Sequence, residues 1–180
     1  MKKILLKTES LSKSFSSGGV LQHVLKNIDL ELYEGDFTVI MGASGAGKST
    51  LLYALSGMDT PTLGRITFGG EVISDYNPDE LAVFRRRHCG FVFQQIYLID
   101  GMSLMDNVLA AGLLVNKDRK ALAERAGELF RAVNIPEETW HKFPTQISGG
   151  EAQRAGIVRG LINSPEILYA DEPTGALNSR

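Results

Sequence analysis

The sequence predicts an α/β fold with a mostly parallel sheet, an antiparallel β part and an α-helical part. Apolar and polar residues alternate over residues 26–33, which is the period of a half-exposed strand and predicts an antiparallel element at the start of the fold. Residues 37–41 form a continuous β-favouring run, followed by glycines and then by the apolar stretch 51–55. This order predicts a buried strand, a loop and a helix. Residues 103–143 show helical periodicity, which predicts a helical subdomain.

Local signals predict the remaining elements. Asn77 is a capping residue before Pro78, with Glu80 three residues after the cap, so a helix is expected to run to about His88. Ser103 is expected to cap the first helix of the helical subdomain. The other predicted elements are strands at 65–68 and 71–73 joined by a glycine turn, a strand at 89–93, a helix at 149–163 and a strand of the buried type at 167–170.

We expect a single domain spanning residues 1–180. A chain of this length can bury a core, and neither an internal repeat nor a low-complexity linker divides it. The antiparallel β part is expected at about 1–35 and 62–75, and the helical subdomain at about 100–147. The remainder is expected to form the parallel core.

Composition excludes several classes of function. With 19 basic and 21 acidic residues, the chain has no net field that would draw it to nucleic acid or to an anionic membrane. The basic run 85–88 lacks interleaved aromatic residues, which favours a solvated helix end over nucleic-acid contact. The single cysteine, Cys89, excludes an internal disulfide and is expected to be a buried small hydrophobe. The longest apolar run, 108–115, is too short to cross a membrane, so any membrane role needs a separate partner.

Residues 42–50 match the phosphate-binding pattern G-x-x-x-x-G-K-[ST], between a predicted strand and a predicted helix. Glycines let the backbone approach phosphates closely, so that N–H groups and the positive end of the following helix face the anion. Lys48 is expected to reach the β and γ phosphates, and the Ser49 hydroxyl to bind Mg²⁺. The expected nucleotide-binding residues of the loop are Gly42, Ala43, Ser44, Gly45, Ala46, Gly47, Lys48, Ser49 and Thr50. The pattern predicts a P-loop NTPase core, which kinases, GTPases and many ATPases share.

Two further segments carry polar groups at the ends of predicted elements. Asp171 and Glu172 follow an apolar strand, and acids at a buried strand end need a cation nearby, so Asp171 is expected to hold Mg²⁺. The alternative is a pair of solvated turn residues before Pro173. Ser148 precedes two glycines and a helix, which would offer backbone N–H groups and a hydroxyl to an anion. The alternative here is a plain capped helix start.

Three segments match sequence motifs of one known family. Residues 147–154, with the sequence ISGGEAQR, resemble the LSGGQ-type signature of the ABC (ATP-binding cassette) ATPases. Residues 91–94 resemble its Q-loop, and residues 167–173 resemble its Walker B segment. The motifs occur in the family's order and cover almost the whole chain. Within the family, residues 90–107 and 25–28 look most like the ATPases of lipoprotein-release, macrolide and antimicrobial-peptide exporters, and a related cell-division ATPase is equally similar.

The resemblance implies a role for each matching residue. Glu172 corresponds to the general base for hydrolysis, and Gln94 to a glutamine that contacts Mg²⁺ and the attacking water. Phe15 stands where the family stacks an aromatic ring on adenine, with ordinary core packing as the alternative. In the family, two subunits meet head to tail, and the signature of one contacts the nucleotide on the phosphate loop of the other. The residues that would do so here are Ser148, Gly149, Gly150 and Glu151.

The resemblance also implies cofactors and partners. The cofactors are ATP and Mg²⁺, and the partners are a second ATP-binding subunit, in a homodimer, and an integral membrane permease, with no nucleic acid. The permease would select the substrate and would hold the chain at the cytoplasmic face of the cell membrane. Residues 96–99 would lie near the groove that receives the permease's coupling helix.

The chain departs from the family in several places. Family members continue past Arg180 with a segment that carries a switch histidine, so the resemblance implies a chain truncated at its C-terminus. The D-loop, residues 175–178, has Asn where Asp is usual. Gly156 and Gly160 stand where the signature helix commonly has Ala, each at a cost of about 1 kcal/mol. We assign no role to their G-x-x-x-G spacing outside a membrane. The apolar edge of strand 167–170 is expected to be bare.

Three functions stay open on this basis. The leading one is an ATPase subunit that powers a membrane exporter. The alternative is a nucleotide-binding module with little or no turnover, because the switch-histidine segment is absent. A soluble ABC protein of DNA repair or translation would need a long coiled-coil insertion or tandem cassettes, and the sequence contains neither.

Overall fold

The computed structural model describes residues 2–173 of the chain, apart from the side chain of Ser17. Six strands and five α-helices lie in this part, which divides between two compact units, Met1–Phe84 and Arg85–Arg180. Within residues 2–173, no helix has both the length and the apolar character that a membrane span requires. The predicted D-loop lies outside the described residues.

A four-stranded antiparallel sheet forms the basis of the first unit. Its strands, in spatial order, are β2 (Val20–Tyr33), β1 (Ile4–Ser17), β3 (Leu63–Phe68) and β4 (Glu71–Val72). The long strands β1 and β2 pair from Ile4 opposite Tyr33 to the hairpin at their other ends. Strand β3 pairs with the other edge of β1, with Ile66 opposite Thr8. The antiparallel start, the alternation in β2 and the glycine hairpin between β3 and β4 are therefore confirmed.

Helix α1 (Lys48–Leu55) lies between β2 and β3 in the chain, and helix α2 (Pro78–His88) comes after β4. Asn77 caps α2, because its Oδ1 accepts hydrogen bonds from the N–H groups of Asp79 and Glu80 at 2.9 and 3.0 Å. The Glu80 carboxylate in turn accepts one from the Asn77 N–H at 2.8 Å, which confirms the predicted capping box. A short 3₁₀ turn, Ile73–Asp75, precedes the helix.

The predicted buried strand at residues 37–41 is wrong. The segment forms no strand, and its apolar side chains are exposed, with Phe37 94% and Met41 86% accessible. A strand needs a neighbour that supplies ladder hydrogen bonds, and both described sheets exclude this segment. The local sequence favours an extended backbone but cannot supply the partner.

The second unit contains a short parallel pair of strands. Strand β5 (Cys89–Val92) pairs with β6 (Ile167–Ala170), with Cys89 opposite Ile167 and Val92 opposite Ala170. Only Tyr169 of β6 is buried, whereas the sequence predicted a strand of the buried type. Leu168 is 39% exposed, as expected for a bare edge. Cys89 is only partly buried, because it begins the edge strand.

Three helices pack into the core of the second unit: α3 (Leu104–Gly112), α4 (Arg119–Ala132) and α5 (Gly149–Leu161). Ser103 caps α3 by accepting a hydrogen bond from the Asp106 N–H at 3.1 Å, as predicted. Short 3₁₀ turns lie at Glu137–Thr139 and Pro144–Gln146. The buried residues of this core are Leu104, Met105, Val108, Leu109, Leu122, Ala126, Phe130, Ile135, Trp140, Ala155, Val158 and Ile162.

Helix α5 approaches β5 closely at Gly160, and at Gly156 it approaches the segment that follows β5. A Cβ atom on Gly160 would lie 2.8 Å from the carbonyl oxygen of Phe91, and one on Gly156 would lie 3.1 Å from Cγ2 of Ile96. An alanine methyl at position 160 would overlap the strand backbone. We assigned no role to Gly160 from the sequence, and this was wrong, because its close approach to the strand backbone leaves no room for a methyl group.

Candidate functional site

The phosphate loop ends at a helix N-terminus that is open to an anion. Helix α1 begins at Lys48, and its capping residue, Gly47, has φ of +88° and gives no side-chain cap. The first turn of α1 contains no acidic residue. A Cβ on Gly47 would lie 2.9 Å from Cγ1 of Val24. Glycine suits this position both because it adopts the positive φ easily and because it has no Cβ. The first-turn N–H groups and the positive helix end are therefore suited to phosphate.

Lys48 lies over the same loop. Its Nζ donates hydrogen bonds to the carbonyl oxygens of Gly42 and Ala43, both at 2.9 Å. The N–H of Ala46 closes the turn by donating to the Ala43 carbonyl at 3.2 Å. The loop thus presents an ammonium group and backbone N–H groups within a few residues, with small exposed side chains that leave room for phosphates. These features fit a nucleoside triphosphate.

Phe15 presents its ring to solvent instead of packing in the core. The side chain is 44% exposed, and the Lys13 ammonium lies 5.1 Å from the ring centroid. Lys13 is itself held by Asp59 Oδ1 at 2.6 Å and by the Thr60 carbonyl oxygen at 2.7 Å. An exposed aromatic ring on a rigid strand can stack on a base. Adenine stacking by Phe15 stays a prediction.

The second unit brings Gln94 and Glu172 together. The Gln94 Nε2 donates a hydrogen bond to the Glu172 carboxylate at 2.6 Å. Gln94 follows β5 and Glu172 follows β6, and the carboxyl ends of parallel strands meet at one edge of a sheet. The Asp171 N–H donates to the Val92 carbonyl at 2.9 Å, which extends the ladder to the residue before Glu172. A carboxylate and an amide that can orient a water molecule therefore meet at this edge.

The backbone at Glu172 is held in an uncommon conformation. Its φ is +46°, in the left-handed region that costs a residue with a side chain about 1–2 kcal/mol. Such a conformation persists only where the surroundings determine it. Here, Asp171 bonds to Val92, Glu172 bonds to Gln94, and the Pro173 carbonyl accepts a hydrogen bond from Gln153 at 2.7 Å.

Sequence reasoning missed Gln153. It lies within the signature segment, and its side chain is 1% exposed. Gln153 precedes Ile157 by four positions and Gly160 by seven, so helical periodicity places it on the same face of α5 as Gly160. This spacing could have indicated that the side chain is buried.

The signature segment forms a capping box at the start of α5. Ser148 Oγ accepts a hydrogen bond from the Glu151 N–H at 3.2 Å, and the Glu151 carboxylate accepts from both the N–H and the hydroxyl of Ser148 at 2.8 Å. The hydrogen bond from the Ser148 N–H, and to a smaller extent the one from its hydroxyl, hold the pKa of Glu151 below its ordinary value. The Ser148 hydroxyl must therefore leave Glu151 before it can donate to a phosphate. Gly149 is exposed, with open space where a Cβ would stand.

The residues predicted to hold Mg²⁺ occur in both units. Ser49 lies in the first turn of α1, where it is half-buried, and Asp171 is half-buried directly after β6. In the part of the chain that the structure describes, no three His, Cys, Asp or Glu side chains gather into a metal site. A hydroxyl, an amide and a carboxylate are oxygen donors of the kind that Mg²⁺ prefers. Binding of Mg²⁺ by these residues stays a prediction.

Residues 96–99 lie next to helix α5 and present two of their four side chains to solvent. Tyr97 and Ile99 are exposed. Arg159 of α5 donates hydrogen bonds to the carbonyl oxygens of Ile96 and Tyr97, both at 2.6 Å. The backbone of the segment is thus hydrogen-bonded to α5, while Ile96 and Leu98 are half-buried and only Tyr97 and Ile99 are accessible. Contact with a permease stays a prediction.

The chain is similar to known proteins over nearly its whole length. The protein family described as ABC transporter matches residues 25–175. The macrolide export ATP-binding/permease protein MacB of Wolinella succinogenes is 42% identical over 180 residues, which are 100% of this chain and 28% of that protein. The lipoprotein-releasing system ATP-binding protein LolD of Wigglesworthia glossinidia brevipalpis is 40% identical over 176 residues, which are 98% of this chain and 76% of that protein.

Solved structures show the same fold. The dimeric structure of MJ0796, a bacterial ABC transporter cassette, matches with a TM-score of 0.88 and 36% identity, over 97% of this chain and 77% of that one. A dimeric structure of a post-hydrolysis state of MJ0796, bound to ADP and Pi, matches equally well. This likeness confirms the predicted fold class, a P-loop NTPase core with an antiparallel β part and an α-helical part.

Proposed function

This chain belongs to the ABC transporter family, as an ATP-binding domain, and from that premise we propose that it binds and hydrolyses Mg-ATP to drive export through a separate membrane permease. The observation that carries the proposal is the 2.6 Å hydrogen bond between Gln94 and Glu172. It puts a carboxylate and an orienting amide at the carboxyl edge of a parallel strand pair, where ligands of open α/β sheets bind.

The site residues have separate roles in the proposed reaction. The N–H groups of the loop and the Lys48 ammonium bind the phosphates, and the Phe15 ring stacks on the base. Glu172 accepts a proton from the attacking water, and Gln94 orients that water through its amide. Mg²⁺, held through Ser49, Gln94 and Asp171, would neutralise charge on the phosphates. The chain works as one ATP-binding domain in this proposal.

The proposed transporter contains two further components, a second copy of the chain and a permease. A second copy, meeting the first head to tail, supplies the start of α5 to the nucleotide, as the dimeric cassette of similar structure supports. The names of the relatives, a macrolide export protein and a lipoprotein-releasing system protein, support an exporter. A permease would hold the chain at the inner face of the cell membrane and would contact residues 96–99. The transported substrate would be chosen by that permease.

One structural observation favours the alternative of a binding module with little turnover. The apolar run 37–41, directly before the phosphate loop, is exposed and lies in neither described sheet. A loop that is not anchored to a sheet binds phosphates through its own N–H groups but positions the γ phosphate poorly. Small errors of position cost large factors in rate.

Nucleotide titration and phosphate release test the proposal. Lys48→Ala is expected to weaken Mg-ATP binding by about tenfold or more, because the ammonium contact with the phosphates is lost. Glu172→Gln is expected to keep the affinity and to lose turnover by roughly 10²–10⁴-fold. Glu138→Gln, at an exposed glutamate of the same unit, is the matched control and should change neither quantity.

The outcomes separate the two functions. Turnover that depends on Glu172 supports hydrolysis. Tight binding, with ATP-dependent dimerisation in size-exclusion chromatography but no turnover that depends on Glu172, supports the binding module. Binding that is indifferent to Lys48→Ala would reject both.

A further inference from the structure

Gln153 is a buried polar side chain with an unusual set of contacts. It lies on the fifth residue of α5 and is 1% exposed. Its Nε2 donates a hydrogen bond to the Pro173 carbonyl at 2.7 Å, whereas its Oε1 is buried and finds no partner among residues 2–173. Burying an amide is costly when half of it is unsatisfied. The amide donor of Gln153 links α5 to the chain beyond β6, although its oxygen has no partner in the described part of the chain.

The bond from Gln153 reaches the residue next to the proposed general base. Glu172 has its backbone in the left-handed region, and its two neighbours are tied on either side: Asp171 to Val92, and Pro173 to Gln153. Asp171 is held by a strand, but Pro173 lies beyond the end of β6 and receives its hydrogen bond from α5. The position of the Glu172 carboxylate thus depends on the Gln153 donor.

The same helix also holds the loop that carries Gln94. Arg159 donates to the carbonyl oxygens of Ile96 and Tyr97, and Gly156 lies against Ile96. One rigid element therefore fixes the backbone near both members of the Gln94–Glu172 pair. Its first residues are the signature segment.

We propose that Gln153 is a positioning residue for ATP hydrolysis, which holds the Glu172 carboxylate against Gln94 through the Pro173 carbonyl. The inference rests on the proposed function of Glu172. Gln153 touches neither nucleotide nor water in this role, so it affects the rate of turnover and not the binding of ATP.

Gln153→Met is the decisive variant, because methionine has nearly the same volume and removes the unpartnered oxygen together with the donor. Its melting temperature is expected to equal or exceed that of the parent chain. Amide hydrogen exchange at Asp171 is nevertheless expected to be about five- to tenfold faster, with exchange at Tyr169 unchanged, because the chain after β6 has lost a tether. Gln153→Leu provides a second variant of the same kind.

Kinetics supply the second readout. In Gln153→Met, kcat is expected to fall roughly ten- to hundredfold while KM for ATP stays within about twofold, since only the reacting geometry is disturbed. Val158→Ala is the matched control, because it removes buried volume from the same helix. Val158→Ala should lower the melting temperature, because it removes buried volume. Its exchange rate at Asp171 and its kcat should equal those of the parent chain.

The two readouts keep this inference separate from the proposed function. Unchanged exchange at Asp171 in Gln153→Met overturns the inference, whether or not the parent chain hydrolyses ATP. A normal kcat in that variant also overturns it, provided that the parent chain shows turnover dependent on Glu172. Failure of the parent chain to turn over ATP rejects the proposed hydrolysis and leaves the exchange measurement to decide on Gln153.

Discussion

Replacing Gly160 by alanine should destabilise the second unit, although alanine is the better helix former. The substitution gains about 1 kcal/mol of helix propensity. The new Cβ would lie 2.8 Å from the Phe91 carbonyl oxygen and 3.3 Å from both the Phe91 carbonyl carbon and Leu168 Cδ1. An ordinary carbon–oxygen contact is about 3.3–3.6 Å, so the helix and the strand must separate by roughly 0.5 Å. Overpacking of this kind costs up to about 3 kcal/mol, because a strand backbone cannot turn away as a side chain can.

The expected net loss is therefore about 2 kcal/mol for Gly160→Ala, or roughly 4–8 °C in melting temperature for a chain of this size. Gly156→Ala is the matched control on the same helix. Its Cβ would meet only Cγ2 of Ile96 at 3.1 Å, and a side-chain end can shift by a few tenths of an ångström. That variant should be neutral or up to about 1 kcal/mol more stable.

Urea unfolding followed by tryptophan fluorescence measures both variants, since Trp140 is the one tryptophan of the sequence and lies in the second unit. Equal unfolding midpoints for Gly160→Ala and Gly156→Ala would refute the reasoning, because they would show that the contact with the Phe91 backbone is not limiting.

Three further expectations follow from the second unit. The pKa of Glu151 is held below its ordinary value of 4.5, so its capping interaction stabilises the fold above that pH and is lost as the pH falls through the lower folded value. In Glu151→Gln the free energy of unfolding should therefore depend less steeply on pH below about pH 5. An unchanged pH dependence in this variant would contradict the prediction. Burial raises the pKa of the Cys89 thiol to about 12, so it should react with a disulfide reagent at pH 8 far more slowly in the native chain than in urea, and equal rates would contradict this. Phe130→Ala, at a fully buried ring, should cost about 3–5 kcal/mol, whereas Phe143→Ala, at a 43% exposed ring, should cost far less, which urea midpoints will show.

Features that depend on neighbours in sequence were predicted well. The capping box at Asn77 rests on hydrogen bonds between residues three apart, so the sequence contains all of its chemistry. At Ser148 the structure shows the capped helix start that the sequence analysis gave as the alternative to an anion contact. The alternation over residues 26–33 predicts a strand because one face of that strand meets the core. The helix after the phosphate loop is of the same kind, since the backbone angle at Gly47 and the helix start at Lys48 are local.

Features that depend on distant partners were predicted less well. Residues 37–41 have the composition of a buried strand, but burial and pairing come from other segments. Gln153 was missed because periodicity shows which face of a helix is buried but not which backbone group a polar side chain on that face will meet. Gly160 was interpreted only as a cost in helix stability, because the strand backbone that it accommodates, at Phe91, is distant in sequence.

These distant contacts also hold the Gln94–Glu172 pair in place. Strands β5 and β6 contain four residues each, and an isolated pair of strands this short is at best marginally stable in water. The ladder alone therefore cannot hold Gln94 and Glu172 within hydrogen-bonding distance. Helix α5 supplies the missing constraint, since Gly160 lies against the β5 backbone and Gln153 bonds to the chain beyond β6. A substitution that loosens α5 from β5 should consequently impair turnover before it impairs binding at the phosphate loop.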